Sequence, residues 1–197
     1  MRPVVRLLSF LYIASALSAC GPTTPPTSPE GTHQPDVLAT HASDGERPYS
    51  EEEKAQSHGK LGGIWVNCYR SFQPDPDPTA ALTHLTSVCG RPTGLAPATP
   101  VRAGDPQAQQ DPVERFTFRA RGGRCYRVFA VGAPEVVDLD VAVIDPAGHL
   151  ATADTSRDRW PVVPARGPIC AEREGVYTLE VAVTRGTGAY VLQVWGD

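Results

Sequence analysis

The chain has 197 residues, 41% of them hydrophobic, and a formal net charge of -4. That length supports one domain with an appendage and gives no reason to expect a second large core. The acidic balance points away from nucleic acid, and the excess of arginine over lysine carries no functional meaning by itself.

Arg2 and Arg6 precede an apolar run over residues 7–17. The run is too short to span a bilayer comfortably as a helix, and it reads as an export leader. It closes on Leu17-Ser18-Ala19-Cys20 followed by Gly21, an order that resembles the lipobox of bacterial lipoproteins. The resemblance implies a signal peptide over residues 1–19, cleavage before Cys20, and acyl chains, palmitate among them, on that cysteine. Several such chains bury enough apolar surface to hold a protein stably on a lipid bilayer. Gly21, in place of the aspartate associated with inner-membrane retention, implies a cell-envelope address at the outer membrane if the cell is Gram-negative. The leaflet stays open.

Residues 20–45 follow as a lipidated flexible tether, because Pro, Thr, Gly and Ser dominate the stretch and leave almost nothing to build a core. Residues 46–90 read as a small helical attachment that contains two cysteines. Ser50 and Glu53 match a capping box, and Leu61, Ile64, Trp65, Cys68 and Phe72 recur at helical spacing as one buried stripe. Gly59, Gly62 and Gly63 weaken that helix. Trp65 as an exposed binding residue is the sharper alternative to packing. Pro74-Asp75-Pro76-Asp77-Pro78 ends the segment, and its two carboxylates read as solvated linker rather than calcium ligands. Thr79 then caps a second helix carrying Leu82, Leu85, Val88 and Cys89, with Gly90 to stop it. Residues 91–111 have little apolar continuity and read as a connecting loop.

Four cysteines remain after Cys20: Cys68, Cys89, Cys125 and Cys170. In an exported chain they support two disulfides better than a zinc or redox centre. Of three pairings, Cys68 with Cys89 and Cys125 with Cys170 each staple one region of the sequence. Two plain antiparallel helices would place Cys89 too far from Cys68, so that bridge requires a crossed or bent arrangement.

Residues 112–197 carry strand alternation. Phe116 and Phe118 face one way and Arg115, Thr117 and Arg119 the other, before a turn at Arg121-Gly122-Gly123-Arg124. In the next strand Arg127 shares a face with Phe129 and Val131, which a bulge or a rim position would resolve. Leu139, Val141 and Val143 alternate with Asp138, Asp140 and Ala142, and Asp145-Pro146-Ala147-Gly148 fits a tight turn. Short pieces near residues 150–154, 160–163 and 169–170 follow. The chain closes on two apolar runs, residues 176–183 and 189–195, joined by Thr184-Arg185-Gly186-Thr187-Gly188 and expected as adjacent antiparallel strands. Seven or eight short strands make a mainly β protein, a β-sandwich with a small N-terminal helical attachment.

The order of these segments resembles the bacterial pre-peptidase C-terminal (PPC) domain. It is carried by Phe116-Thr117-Phe118 before Gly122-Gly123, by residues 139–148, by residues 175–181 and by residues 188–194. The resemblance implies a jelly-roll-like β-sandwich appended to secreted proteins, some relatives of which bind calcium or extracellular polymers. It speaks to architecture far more than to activity.

Asp138, Asp140, Asp154 and Asp158, with Asp145, are the oxygen-ligand candidates for calcium, although no recognised calcium loop spaces them. His149 belongs to no zinc motif. Ser156 with His149 and Asp154 supplies the residue types of a triad without a nucleophile elbow, so no enzyme is expected. Arg115, Arg119, Arg121, Arg124 and Arg127 form the densest basic group, open to an anionic glycan or lipid headgroup, and Trp160 could add an aromatic contact. The leading expectation is a noncatalytic envelope lipoprotein that presents its β-sandwich to an envelope protein or surface assembly. A calcium- or glycan-binding module is the alternative, and no other cofactor is expected.

Overall fold

The computed structural model describes Cys68, residues 72–154 and residues 156–197, all within one compact unit. Cys20 with its leader, the tether, the Ser50 capping box and Leu61, Ile64 and Trp65 lie outside the described residues.

Pro78–Cys89 forms a helix, α1. Asp77, not Thr79, is its N-cap, accepting a hydrogen bond from the Thr79 backbone N–H at 3.0 Å. The reason is local. Proline fits the first helical position, where its missing N–H leaves nothing unpaired, and the preceding carboxylate then reaches the second amide. Asp75 in turn accepts from the Asp77 amide at 2.8 Å, so both linker carboxylates serve the helix start. Ala81, Leu82, Leu85 and Cys89 form the buried stripe, and Cys68 is bridged to Cys89 as expected.

Residues 91–111, expected as a loop, hold a 3-10 turn (Arg91–Thr93) and two strands, β1 (Ala96–Pro97) and β2 (Arg102–Ala108). The strand signal is missing because β2 buries only Gly104 and Gln107, and Pro106 sits where its register slips. The β body therefore begins before residue 112. It continues through β3 (Glu114–Ala120), β4 (Cys125–Gly132), β5 (Val136–Ile144), β6 (Leu150–Ala153), β7 (Val162–Val163) and β8 (Ile169–Cys170).

The two closing runs are not a hairpin. Gly175–Gly196 is a single strand of 22 residues, β9, whose two halves pair with different partners. β4 and β5 lie antiparallel to it in nearly one register, from Tyr126 opposite Gly196 to Ile144 opposite Thr178. β1, β2 and β3 do the same, from Ala96 opposite Gly196 to Ala120 opposite Gly175. The strand path β6-β5-β9-β4-β7 makes a nearly closed antiparallel barrel of five strands, a barrel-like sandwich on a mainly β plan. The Arg121-to-Arg124 turn carries the chain between sheets, since β3 and β4 each pair with β9 in different sheets.

Across its bend β9 changes which side chains face inward. Tyr177, Leu179, Val181 and Val183 point into the core before it, and Tyr190, Leu192 and Val194 after it. The bend falls where β5 slips register near Asp138 and where Gly186 takes a φ of 92°. A side chain there would collide with the Glu135 carbonyl and lie 2.7 Å from the Val137 nitrogen.

β4 is buried on both faces, with neither bulge nor rim. Tyr126, Val128 and Ala130 enter the central core, while Phe129 and Val131 pack beneath α1 with Leu82, Leu85 and Trp195. Each fully buried leucine on α1 contributes roughly 2 kcal/mol of apolar burial. Arg127 is fully buried on the same side as Phe129. Its guanidinium donates to the Pro164 and Ala165 carbonyls at 3.0 and 2.9 Å and stands 5.7 Å from the Phe129 ring.

Gly186→Ala is expected to lower stability by about 1–3 kcal/mol, since it adds both backbone strain and a collision. A urea midpoint within error of the original chain would contradict that bend.

Candidate functional site

Two places gather the polar residues singled out above. The first is a carboxylate pocket on the outer side of β5. Asp138 and Asp140 alternate with the core-facing Leu139 and Val141, so they share the opposite face. The segment after β6 runs back along β5: the Asp154 amide donates to the Val141 carbonyl at 2.8 Å, and the Leu139 amide donates to the Asp158 carbonyl at 3.1 Å. Those two bonds bring Asp154 and Asp158 beside the β5 pair. Thr184 at the β9 bend lies next to both Asp138 and Asp140, yet neither its hydroxyl nor Asp138 Oδ1 makes a well-formed hydrogen bond.

Burial, then the neighbouring Asp138 and Asp154 carboxylates, push Asp140 up to about 7. Burial also raises Asp138, against the pull of Arg185, with Asp158 adding to the rise and Arg157 opposing it. Asp158 is raised by burial and held back by the Trp160 amide that it accepts at 2.9 Å. The pocket can therefore hold a proton near neutral pH. Among the described residues no three Asp, Glu, His or Cys side chains are grouped so as to hold a metal ion.

The second place is the arginine end of the β body. Arg121 and Arg124 are exposed on a turn whose Gly123 amide donates to the Ala171 carbonyl at 2.7 Å, while the Ala171 amide donates to the Arg124 carbonyl at 2.9 Å. Gly122 sits against the backbone of Arg173 and Glu174; a Cβ at that glycine would be 3.4 Å from Arg173 Cα. The Cys125–Cys170 disulfide lies directly beneath, so the two turns are stapled together. Arg121, Arg124 and Arg173 make no ion pair among the described residues. Arg119 pairs with Glu174 at 3.0 Å, with both side chains mostly in solvent, a contact worth little to stability.

The other candidates are dispersed. Arg115 is held by the buried Glu180, 3.0 Å from its Oε1, and Arg127 lies in the core, so neither joins the arginine end. Trp160 is half-buried and edge-on to Phe72 at 5.9 Å, where it packs beside the α1 cluster. Ser156 donates to Asp154 Oδ2 at 2.9 Å, but His149 is exposed and stands beside Asp145 instead, 3.6 Å away. The His149 and Ala147 backbone amides hold the Asp145 carboxyl below its ordinary value, as the turn requires. Arg173 was not singled out by the sequence. The paired cysteines were its only cue, because bridging Cys125 to Cys170 sets the residues beside each of them together.

Comparison with protein-family models finds no match, and no curated protein matches the chain. No helix among the described residues is long and apolar enough to cross a membrane.

Asp140→Asn tests the pocket. The folded state binds this proton more tightly than the unfolded chain, whose carboxyl titrates near 3.8. Stability from Asp140 is thus present at low pH and lost as pH rises from about 4 through about 7. Relative to the asparagine variant, the original chain is expected to lose on the order of 2–4 kcal/mol between pH 4 and pH 8 in urea melts. Parallel profiles would show that Asp140 is not raised.

Proposed function

We propose that this protein is a noncatalytic, lipid-tethered envelope module whose β body presents its arginine end to an acidic surface on an envelope protein or assembly. The lipobox resemblance at Cys20 supports attachment, and the proline-rich tether supports reach. The observation that carries recognition is the exposure of Arg121, Arg124 and Arg173, without ion pairs among the described residues, on two mutually hydrogen-bonded turns. Guanidinium groups on a rigid support lose little freedom on pairing with carboxylates and steer an acidic partner from a distance. The strand order and the Asp145-to-Gly148 turn also support taking the β body as a jelly-roll-like sandwich of the PPC kind.

A second reading is favoured by the mutual repulsion of Asp138, Asp140 and Asp154. In it calcium, drawing on backbone carbonyls and water as well as on these carboxylates, displaces the proton, and the protein is a calcium-dependent binding module. Added calcium would then flatten the pH dependence of the urea melts, an effect the first reading does not produce.

Crosslinking in intact native cells tests the leading reading, with Arg121→Glu and Arg124→Glu combined as the control. The original chain is expected to capture one envelope protein reproducibly, and the variant to lose most of that capture at an unchanged melting temperature. Equal capture by both would remove the arginine end from the account.

A further inference from the structure

The two disulfides stand in opposite surroundings. Cys68 and Cys89 are 6% and 0% exposed, inside the apolar cluster that α1 forms with Phe129, Val131 and Trp195. Cys170 is exposed and Cys125 is half-buried. They are direct partners across the antiparallel pair of β4 and β8, and β8 is a two-residue strand that pairs with β4 alone. Among the described residues its other edge meets no strand.

Exchange requires a thiolate to approach one sulfur while the other departs, so access to the attacked sulfur governs the rate. The charge around Cys125 and Cys170 is mixed. Arg121, Arg124 and Arg173 stand near Cys125 and Cys170, but so do Glu172 and Asp197, whose Oδ1 accepts from the Cys125 amide at 2.8 Å. Burial separates the two bridges. A thiol can reach Cys170 with the fold intact, whereas Cys68 and Cys89 require the helix to leave its sheet.

Cleavage would not dislodge the strand. Tyr126 still pairs with Ile169, the two backbone bonds between Ala171 and the residues 123 and 124 remain, and Ala171 is 2% exposed in the core. We propose that Cys125–Cys170 is a thiol–disulfide exchange site for low-molecular-weight thiols, and that Cys68–Cys89 is a sealed structural bridge. The thiolate forms a new S–S bond with Cys170 Sγ as the bond to Cys125 breaks, and Cys125 leaves as a thiolate. A second thiolate attacks the small-molecule sulfur of that mixed disulfide and displaces Cys170 as a thiolate. Two thiols are oxidised to one disulfide, and the bridge is reduced by the same two electrons.

The test uses the full native chain. Free thiols are blocked with N-ethylmaleimide, reduced glutathione is added in graded amounts, and freed cysteines are trapped with an isotopically distinct maleimide and located by peptide mass spectrometry. Cys125 and Cys170 are expected to open roughly tenfold faster or more than Cys68 and Cys89, with unchanged circular dichroism and a glutathione adduct on Cys170. Both bridges opening together, Cys68–Cys89 opening first, or the adduct lying on Cys125 would overturn the proposal. The Cys125→Ser, Cys170→Ser double variant separates exchange from unfolding. It is expected to fold and to lose only the fast phase; a variant that does not fold would equally overturn exchange from an intact fold.

Discussion

One strand, β9, belongs to both sheets, and the seating of the others follows from that. Along most of its 22 residues it has a neighbour on each side, β1 to β3 in turn on one and β4 then β5 on the other. The bend that lets it change sheets is held by more than Gly186. Tyr190, fully buried just beyond the bend, donates its hydroxyl to Glu114 Oε2 at 2.5 Å, and the same oxygen accepts the Asp105 amide at 3.1 Å. Burial, then that carboxylate, holds the Tyr190 phenol well above its ordinary range. Gly104 leaves room for the ring, which any side chain there would strike. The Asp105 backbone amide of β2 and the Tyr190 hydroxyl of β9 thus meet at one carboxylate oxygen of Glu114 on β3, which leaves the buried hydroxyl paired where an unpaired polar group would be costly.

The places available for function follow from this arrangement. α1 closes the outer side of the sheet that contains β4, through contacts with Phe129, Val131, Val191 and Trp195. The carboxylate pocket opens on the other sheet beside the bend, where the register slip near Asp138 brings Thr184 next to it. The arginine end lies at the start of β4, where Cys125 and Cys170 draw the segment before β9 against the turn after β3. The central core is apolar and continuous; the carboxylate pocket lies beside a register slip, and the arginine end where strands end.

Much of this was legible in residue order, and the failures have physical causes. Alternation located β3, β5 and both halves of β9, because each has one face in the central core. It could not show that the halves are one strand, because the glycine-rich bend looks like a hairpin turn and the inward parity changes across it. β4 defeated alternation by burying both faces, with Arg127 held by carbonyls 37 and 38 residues away. β2 gave no signal because hydrogen bonding to β9 places it, rather than apolar side chains. The aspartates of the pocket were visible as residue types. The raised proton affinity of Asp138, Asp140 and Asp158 was not, because it needs Asp154 and Asp158 laid beside β5. Arg115 and Arg127 looked like members of one basic group, and tertiary structure withdrew both into separate contacts.

The shared strand is tested most directly by nuclear Overhauser contacts between backbone protons of the isotope-labelled chain. Residues 176–183 are expected to show cross-strand contacts to β3 and β5, and residues 190–195 to β2 and β4, with none between the two halves of β9. A ladder of contacts joining residues 176–183 to residues 189–195 would restore the hairpin and contradict the architecture described above.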